Sequence, residues 1–206
     1  MPDLFIEEAE NSQLIIPITL QLIDKAFFEC EAYLHENNDF YFSFNFSAMH
    51  FKNADFLKDF HRLCLKHQIS SHQIMIELTE RQLLNQDDMD LVKCLKELRQ
   101  GGFRIAIDDF GTGHASISYL QNFPFNYLKI DQSFIQAIGT GAITETLNEA
   151  IIHLAKQLQL NIIAEGVETS LQVDYLKSHQ VQLMQGWYFS HPLTAEKLME
   201  VNKRSG

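Results

Sequence analysis

The sequence predicts an α/β fold: a TIM-like (β/α)8 barrel that is incomplete at its N-terminus, with about six of the eight strands present. Short apolar segments alternate with amphipathic helical patterns, which implies parallel βαβ units. Polar residues follow nearly every predicted strand. A barrel gathers such residues from many strands, whereas an open doubly wound sheet concentrates its ligands at one switch point. These observations favour the barrel and leave the open sheet as the alternative.

The predicted strands are short, apolar and mostly β-branched or aromatic, as strands covered on both faces are. They span 40–46, 73–78, 103–107, 127–130, 161–164 and 182–184. Apolar residues at helical spacing predict helices at 15–34, 56–67, 89–98, 143–158 and 171–177. Gly101-Gly102 is a predicted helix C-cap, and Thr194 is the predicted N-cap of a last helix.

The length predicts one domain over residues 1–206 that lacks its N-terminal strands. A complete barrel of this type has typically about 250 residues, whereas the chain has 206. The first predicted strand is preceded by a helix, so the missing strands are expected before it. No apolar run approaches the roughly 20 residues needed to cross a bilayer, so we expect no membrane insertion by this chain.

The charge balance is acidic, with 27 acidic and 16 basic residues and a net charge of −11. This balance argues against DNA or RNA binding, which relies on Lys and Arg to neutralise phosphates. The cysteines Cys30, Cys64 and Cys94 have no zinc-site spacing. Reduced cysteines and the lack of a secretory signal predict a cytoplasmic location, including that of a cytoplasmic part of a larger membrane-attached sensor.

Carboxylates, amides and a lysine stand at the C-terminal ends of the predicted strands: Asn45, Glu77, Asp108 with Asp109, Lys129 with Asp131, Glu165, and Gln185. A single Glu after a strand is more often a helix N-terminal residue than a ligand. Six strand ends in register have no such structural explanation. Oxygen donors without His or Cys select Mg²⁺ or Mn²⁺ over zinc. Adjacent Asp108 and Asp109 could reach two ions together, and paired ions about 3.5–4 Å apart assist phosphoryl displacement.

Four segments in the middle of the chain resemble motifs of the EAL family, the cyclic di-GMP-specific phosphodiesterases. They are Glu77-Leu78-Thr79-Glu80, Asp108-Asp109-Phe110-Gly111-Thr112-Gly113, Leu128-Lys129-Ile130-Asp131 and Ala164-Glu165-Gly166-Val167-Glu168-Thr169. Asn45-Phe46-Ser47-Ala48 resembles the family's N-x-S-A strand end, and the segment from Gln185 to Leu193 resembles its closing motif. The motifs occur in the family's order and cover nearly the whole chain.

The resemblance implies a role for each matching residue. Asn45, Glu77 and Asp108 match ligands of one metal, whereas Asp108, Asp109 and Glu165 match the set around a second. Lys129 and Glu165 are the implied catalytic residues, with Lys129 matching the lysine that orients or activates the attacking water. The implied supporting residues are Glu80, which holds the loop after the Asp-Asp-Phe strand, Asp131, Glu168 and Gln185.

The implied activity is hydrolysis of cyclic di-GMP to linear pGpG in bacterial second-messenger signalling, with Mg²⁺ or Mn²⁺ as cofactor and a homodimer as a further expectation. The alternative is a catalytically impaired EAL-like module that binds cyclic di-GMP or a protein partner. A barrel lyase with Lys129 as a Schiff base is a third, weaker hypothesis. Such a lysine needs a lowered pKa and apolar surroundings, not a ring of carboxylates.

The sequence departs from the family at its N-terminus, where the Glu-Ala-Leu motif and the Arg that follows it do not occur. Residues 5–10 instead resemble the helix after that motif. We therefore expect two strands, one metal-ligating Glu and a phosphate-contacting Arg to be missing. Because of this departure, the resemblance indicates the family of the chain but does not decide between an active and an impaired member.

Overall fold

The computed structural model describes residues 2–83, 89–112 and 117–203. Six parallel strands form one curved sheet in the order of the chain: β1 (Phe42–Asn45), β2 (Ile74–Thr79), β3 (Arg104–Phe110), β4 (Tyr127–Ile130), β5 (Asn161–Ala164) and β6 (Leu183–Met184). Every strand pairs with the next in sequence, so no switch point divides the sheet. The predicted partial barrel is confirmed, and the doubly wound alternative is excluded.

The helices lie between the strands and before the first one. They are α1 (Pro2–Asn11), α2 (Ile15–Glu36), α3 (Ala48–Lys52), α4 (Phe56–Lys66), α5 (Met89–Gln100), α6 (Ile117–Asn122), α7 (Gln132–Gln136), α8 (Ile143–Gln157), α9 (Ser170–Ser178) and α10 (Ala195–Lys203). The predicted helices correspond to α2, α4, α5, α8, α9 and α10. Helices α3, α6 and α7 were not predicted, because five or six residues are too few to display a helical period.

Both predicted helix caps are present. The Oγ1 atom of Thr194 accepts a hydrogen bond from the backbone N–H of Lys197 at 3.4 Å, near the start of α10. At the end of α5, Gly102 adopts a left-handed conformation with φ of 96°. The N–H groups of Gly102 and Phe103 donate to the carbonyl groups of Arg99 and Leu98, which is the Schellman arrangement.

Three other helices end in the same arrangement with glutamine instead of glycine. Gln68, Gln159 and Gln180 follow α4, α8 and α9 with φ of 54°, 57° and 60°. In each case the next residue donates its N–H to a carbonyl five positions earlier. Left-handed backbone costs a residue with a Cβ atom about 1–2 kcal/mol. These turns therefore carry strain that glycine would remove.

The two faces of the sheet are buried by different means. On the outer face, strand residues such as Ile76 and Ile107 pack against the apolar stripes of the helices. On the inner face, Met75, Ala106 and Ile163 form a small buried apolar layer. Because side chains alternate along a strand, the residues two positions later on these strands share the inner face and lie nearer to the C-terminal ends.

The N-terminal end of the inner face is lined by aromatic and cationic side chains that are half-buried. The Arg104 guanidinium lies 4.0 Å from the ring centroid of Tyr41 and 6.0 Å from that of Tyr127. Tyr41 and Tyr127 also pack against the apolar layer. Within the described ranges, none of the helices combines the length and hydropathy that a bilayer crossing requires.

Candidate active site

The backbone ladder brings the predicted strand ends together in one row. Asn45 pairs with Glu77, and Thr79 pairs with Asp108. Beyond the ends of the strands, the N–H of Glu165 donates to the carbonyl of Ile130 at 3.1 Å. The N–H of Gln185 likewise donates to the carbonyl of Ala164 at 2.8 Å. Neighbouring strands therefore deliver their polar residues to the same edge of the sheet, as the sequence predicted.

A β-bulge in β3 explains how two adjacent aspartates serve one site. The pairing of β3 with β4 shifts between Ile107 and Phe110, which leaves an extra residue on β3. Asp109 lies in the bulge with φ of 54°, a left-handed conformation. Consecutive residues of a regular strand point to opposite faces, but ligand oxygens of Asp108, Asp109 and Glu165 all lie within 4.8 Å of one another. The predicted strand ended at Ile107, so the bulge is a feature that the sequence did not reveal.

Lys129 is the centre of the site. Its Nζ atom lies 2.7 Å from Glu77 Oε2, 3.0 Å from Asp108 Oδ1 and 2.8 Å from Glu165 Oε1. The Lys129 side chain is only 6% exposed. Three strands thus contribute a carboxylate each to one buried ammonium group that comes from a fourth strand, β4.

The electrostatics of the cluster keep this lysine charged. Burial alone would lower the pKa of Lys129, but the carboxylates of Glu77, Asp108 and Glu165 outweigh that effect and raise the pKa above its usual value. A Schiff-base lysine needs the opposite shift. The geometry therefore disfavours the lyase hypothesis.

Two of the surrounding carboxyl groups are shifted in the direction of protonation. Burial raises the pKa of Glu165, and the nearby Lys129 charge only partly opposes this. Burial also raises the pKa of Asp109, helped by the negative charges of Asp108 and Asp131. Glu77, Asp108, Asp109 and Glu165 together carry more negative charge than Lys129 can balance. An additional cation would stabilise the ionised form of the cluster.

The donor set fits a hard divalent cation. Asp108, Asp109 and Glu165 offer carboxylate oxygens close enough to share one ion. Carboxylate oxygens are the ligands that Mg²⁺, Mn²⁺ and Ca²⁺ prefer. Glu77 and Asn45 lie on the neighbouring strands β2 and β1, where Glu77 is buried and Asn45 is exposed.

The remaining predicted residues lie around this cluster, and their roles stay predictions. The Asp131 carboxylate accepts a hydrogen bond from the N–H of Ser133 at 3.0 Å and so caps α7, a position from which its charge also acts on Asp109. Glu80 is buried directly after β2. The loop that Glu80 is predicted to hold includes residues 113–116, which lie outside the described residues.

Glu168 and Gln185 border two cavities beside the cluster. Gln185 lines both of them, whereas Glu168 lines the larger, of about 500 Å³, together with the exposed Trp187. The smaller cavity, of about 380 Å³, is also lined by Glu77 and Tyr41. The roles predicted for both residues at the edge of the site stay predictions.

Two features of the site were not predicted. The exposed Arg81, directly after Glu80, lies near enough to Asp109 to favour its ionised form. The available sequence signal was that the cationic Arg81 directly follows the acidic motif Glu77-Leu78-Thr79-Glu80. Gly186 approaches the backbone of Val167 so closely that a Cβ atom would lie 2.2 Å from the Val167 carbonyl oxygen. No sequence pattern foretells such an approach.

Comparison with known proteins identifies the family. The model of the EAL domain family matches residues 1–192. A relative from Escherichia coli K12, named a probable cyclic di-GMP phosphodiesterase, PdeN, is 37% identical over 98% of this chain. The chain spans 39% of the length of PdeN, so it corresponds to a part of that protein.

Solved structures extend the similarity to the fold. The EAL enzyme Bd1971, in a form with cAMP and cyclic di-GMP bound, superposes with a TM-score of 0.90 at 32% identity, over 98% of this chain and 56% of that one. Klebsiella pneumoniae BlrP1, in a complex with manganese and cyclic di-GMP, gives a TM-score of 0.76 at 27% identity over 87% of this chain and 45% of that one. With its acidic cluster at the strand ends, the family motifs in order and this similarity over nearly its whole length, the chain belongs to the EAL domain family.

Proposed function

We propose that this chain hydrolyses cyclic di-GMP to linear pGpG with the help of Mg²⁺ or Mn²⁺. The observation that carries the proposal is the meeting of Glu77, Asp108 and Glu165, from three strands, around the buried Lys129. A purely structural domain has no physical need for such a cluster, because buried like charges are costly. PdeN and BlrP1 supply the substrate and the type of ion by similarity.

Asp108, Asp109 and Glu165 would hold one ion, and Asn45, Glu77 and Asp108 would hold a second. Bound ions supply Lewis acidity, which screens the phosphodiester charge and lowers the pKa of water. The chain's own residues then do the positioning. Asp108 belongs to both sets, and the bulge at Asp109 directs two carboxylates to the same place.

Lys129 acts as a hydrogen-bond donor and a fixed positive charge in this proposal. A lysine whose pKa is raised keeps its proton at neutral pH and therefore does not accept one from water. Its ammonium group would orient the attacking water or stabilise the charge that develops on the phosphoryl oxygens. Glu165 keeps the catalytic role that the resemblance implies, and burial raises the pKa of its carboxyl group.

The test is incubation of the chain with cyclic di-GMP and either Mg²⁺ or Mn²⁺, followed by chromatographic detection of pGpG. We expect turnover that EDTA abolishes. Glu165→Gln and Asp108→Asn should each reduce this turnover by at least 100-fold in folded protein. The matched control is Glu196→Gln on α10, which removes an exposed carboxylate and should leave turnover unchanged. Turnover that persists in the Glu165 and Asp108 variants would refute the assignment.

The alternative function is that of a module that binds cyclic di-GMP or a protein without hydrolysing it. It is favoured by the two sheet edges, β1 and β6, which the described residues leave without a further strand. The same assay separates the two functions, because a binding module would retain cyclic di-GMP in equilibrium dialysis and form no pGpG.

Three broader proposals accompany this function. We infer a single domain over residues 1–206 that works in the cytoplasm, in agreement with three free cysteines, of which two are buried. A homodimer is proposed from the family resemblance alone, and sedimentation velocity would test it. The excess of acidic residues supports the proposal that the domain does not bind nucleic acids.

A further inference from the structure

Three carboxylate oxygens surround the ammonium group of Lys129. A lysine carries three N–H donors and no acceptor. The group donates a hydrogen bond to Glu77 Oε2 at 2.7 Å and forms ion pairs with Asp108 Oδ1 at 3.0 Å and Glu165 Oε1 at 2.8 Å. The three carboxylates are themselves only 5%, 10% and 18% exposed, so water contributes little to their charge balance. Lys129 is thus the main cation that holds these strand ends together.

Lys129 contacts only one of the two oxygens of Asp108 and of Glu165. Lys129 binds Asp108 at Oδ1, which also accepts the N–H of Asp109 at 3.0 Å, and it binds Glu165 at Oε1. Within the described residues, neither Asp108 Oδ2 nor Glu165 Oε2 forms a hydrogen bond or an ion pair, so these second oxygens remain for another cation. An ion shared by Asp108, Asp109 and Glu165 would therefore take two of its three ligands from carboxylates that already bind the ammonium group.

We propose that Lys129 is an internal counter-ion that sets the affinity of the site for divalent ions. Without an ion, its charge offsets the repulsion among the carboxylates and keeps the ligands in place. With an ion, the ammonium group is a like charge a few ångströms away in a poorly hydrated site, where repulsion is little screened. Lys129 therefore makes ion binding weaker and reversible while it preserves the geometry of the ion-free site.

This inference rests on the proposed function only in that it assumes a divalent ion at these carboxylates. It assigns to Lys129 a positioning role that is separate from any contact with substrate. The role concerns charge, so a neutral side chain of similar length should abolish it and arginine should largely retain it.

The experiment measures Mn²⁺ binding to the full chain at pH 8 by isothermal titration calorimetry, together with thermal unfolding with and without Mn²⁺. Lys129→Met and Lys129→Gln are expected to bind Mn²⁺ at least tenfold more tightly than the unchanged chain. Their unfolding temperature should be lower without the ion and should rise more when the ion is added. Lys129→Arg should resemble the unchanged chain in both measurements.

The control is Lys25→Met, because Lys25 is an exposed lysine of α2 whose loss changes the net charge equally. Its Mn²⁺ affinity should not change. If the neutral variants are unfolded without the ion, recovery of their circular dichroism spectrum on addition of Mn²⁺ supports the inference, and failure to recover overturns it.

Weaker or unchanged Mn²⁺ binding by folded Lys129→Met also overturns the inference, while Mn²⁺ binding by the unchanged chain leaves the proposed function standing. If the unchanged chain itself binds no Mn²⁺, the metal dependence of the proposed function fails together with the counter-ion role. The two failures are therefore distinguishable.

Discussion

Replacement of Gln159 by glycine should stabilise the protein. Gln159 ends α8 in a left-handed conformation, with φ of 57°. Removing the strain of this conformation should raise the free energy of unfolding by about 1–2 kcal/mol. The greater entropy of glycine in the unfolded chain should lower that free energy by about 0.5–1 kcal/mol. The net gain is about 0–1.5 kcal/mol. For a domain of this size, 1 kcal/mol corresponds to about 2–4 °C in Tm.

The assay is thermal unfolding followed by circular dichroism, with urea unfolding as an independent measure of the free energy. Gln157→Gly is the matched control, because Gln157 has the same side chain, is also exposed and is the last residue of α8. That change should destabilise the protein, since glycine is unfavourable within a helix. A lower Tm for Gln159→Gly, or an equal rise for both variants, would refute the reasoning.

Three further predictions concern other positions. Gly186→Ala should destabilise the protein by about 1–3 kcal/mol, because its Cβ would collide with the Val167 carbonyl oxygen; an unchanged urea midpoint would contradict this. Burial lowers the pKa of His50, so the unfolded state binds its proton more readily, and stability should fall as pH drops below about 6.5. Urea unfolding at pH 7.5 and 5.5 should show a smaller loss for His50→Gln, and an equal loss would count against the explanation. Glu145→Ala should lower the free energy of unfolding, measured by calorimetry, by about 1 kcal/mol, because the Glu145 carboxylate accepts hydrogen bonds from two backbone N–H groups of the turn before α8. Glu149→Ala replaces an exposed residue of the same helix and should lower the free energy of unfolding by less.

The sequence predicted the fold well where the pattern is repeated and local. Strand β5 was predicted at its observed bounds, because a short apolar run between two amphipathic helices has one reasonable interpretation. Strand β3 was predicted too short, since Asp108 and Asp109 interrupt its apolar pattern although both belong to the strand. A bulge leaves no periodic signal, so the path by which both aspartates reach the site needed the structure.

The candidate site was predictable as a set of residues but not as a network. Placement at successive strand ends sufficed to group Glu77, Asp108, Lys129 and Glu165. The sequence could not reveal that Lys129 contacts all three carboxylates, because this depends on the curvature of the sheet. The hydrogen bond from Ser133 to Asp131 follows local capping rules, and the cap was overlooked because α7 itself was too short to predict.

The contacts of Lys129 also have a kinetic consequence. The ion pair with Glu77 joins residues that are 52 positions apart in the chain, and it spans two complete strand–helix units. Contacts of such high sequence separation form only after the loops between them have closed. A partly folded chain would therefore contain helices and paired strands but no ammonium-centred cluster. Appearance of ion binding during refolding would consequently report the last stage of assembly, later than the recovery of helical circular dichroism.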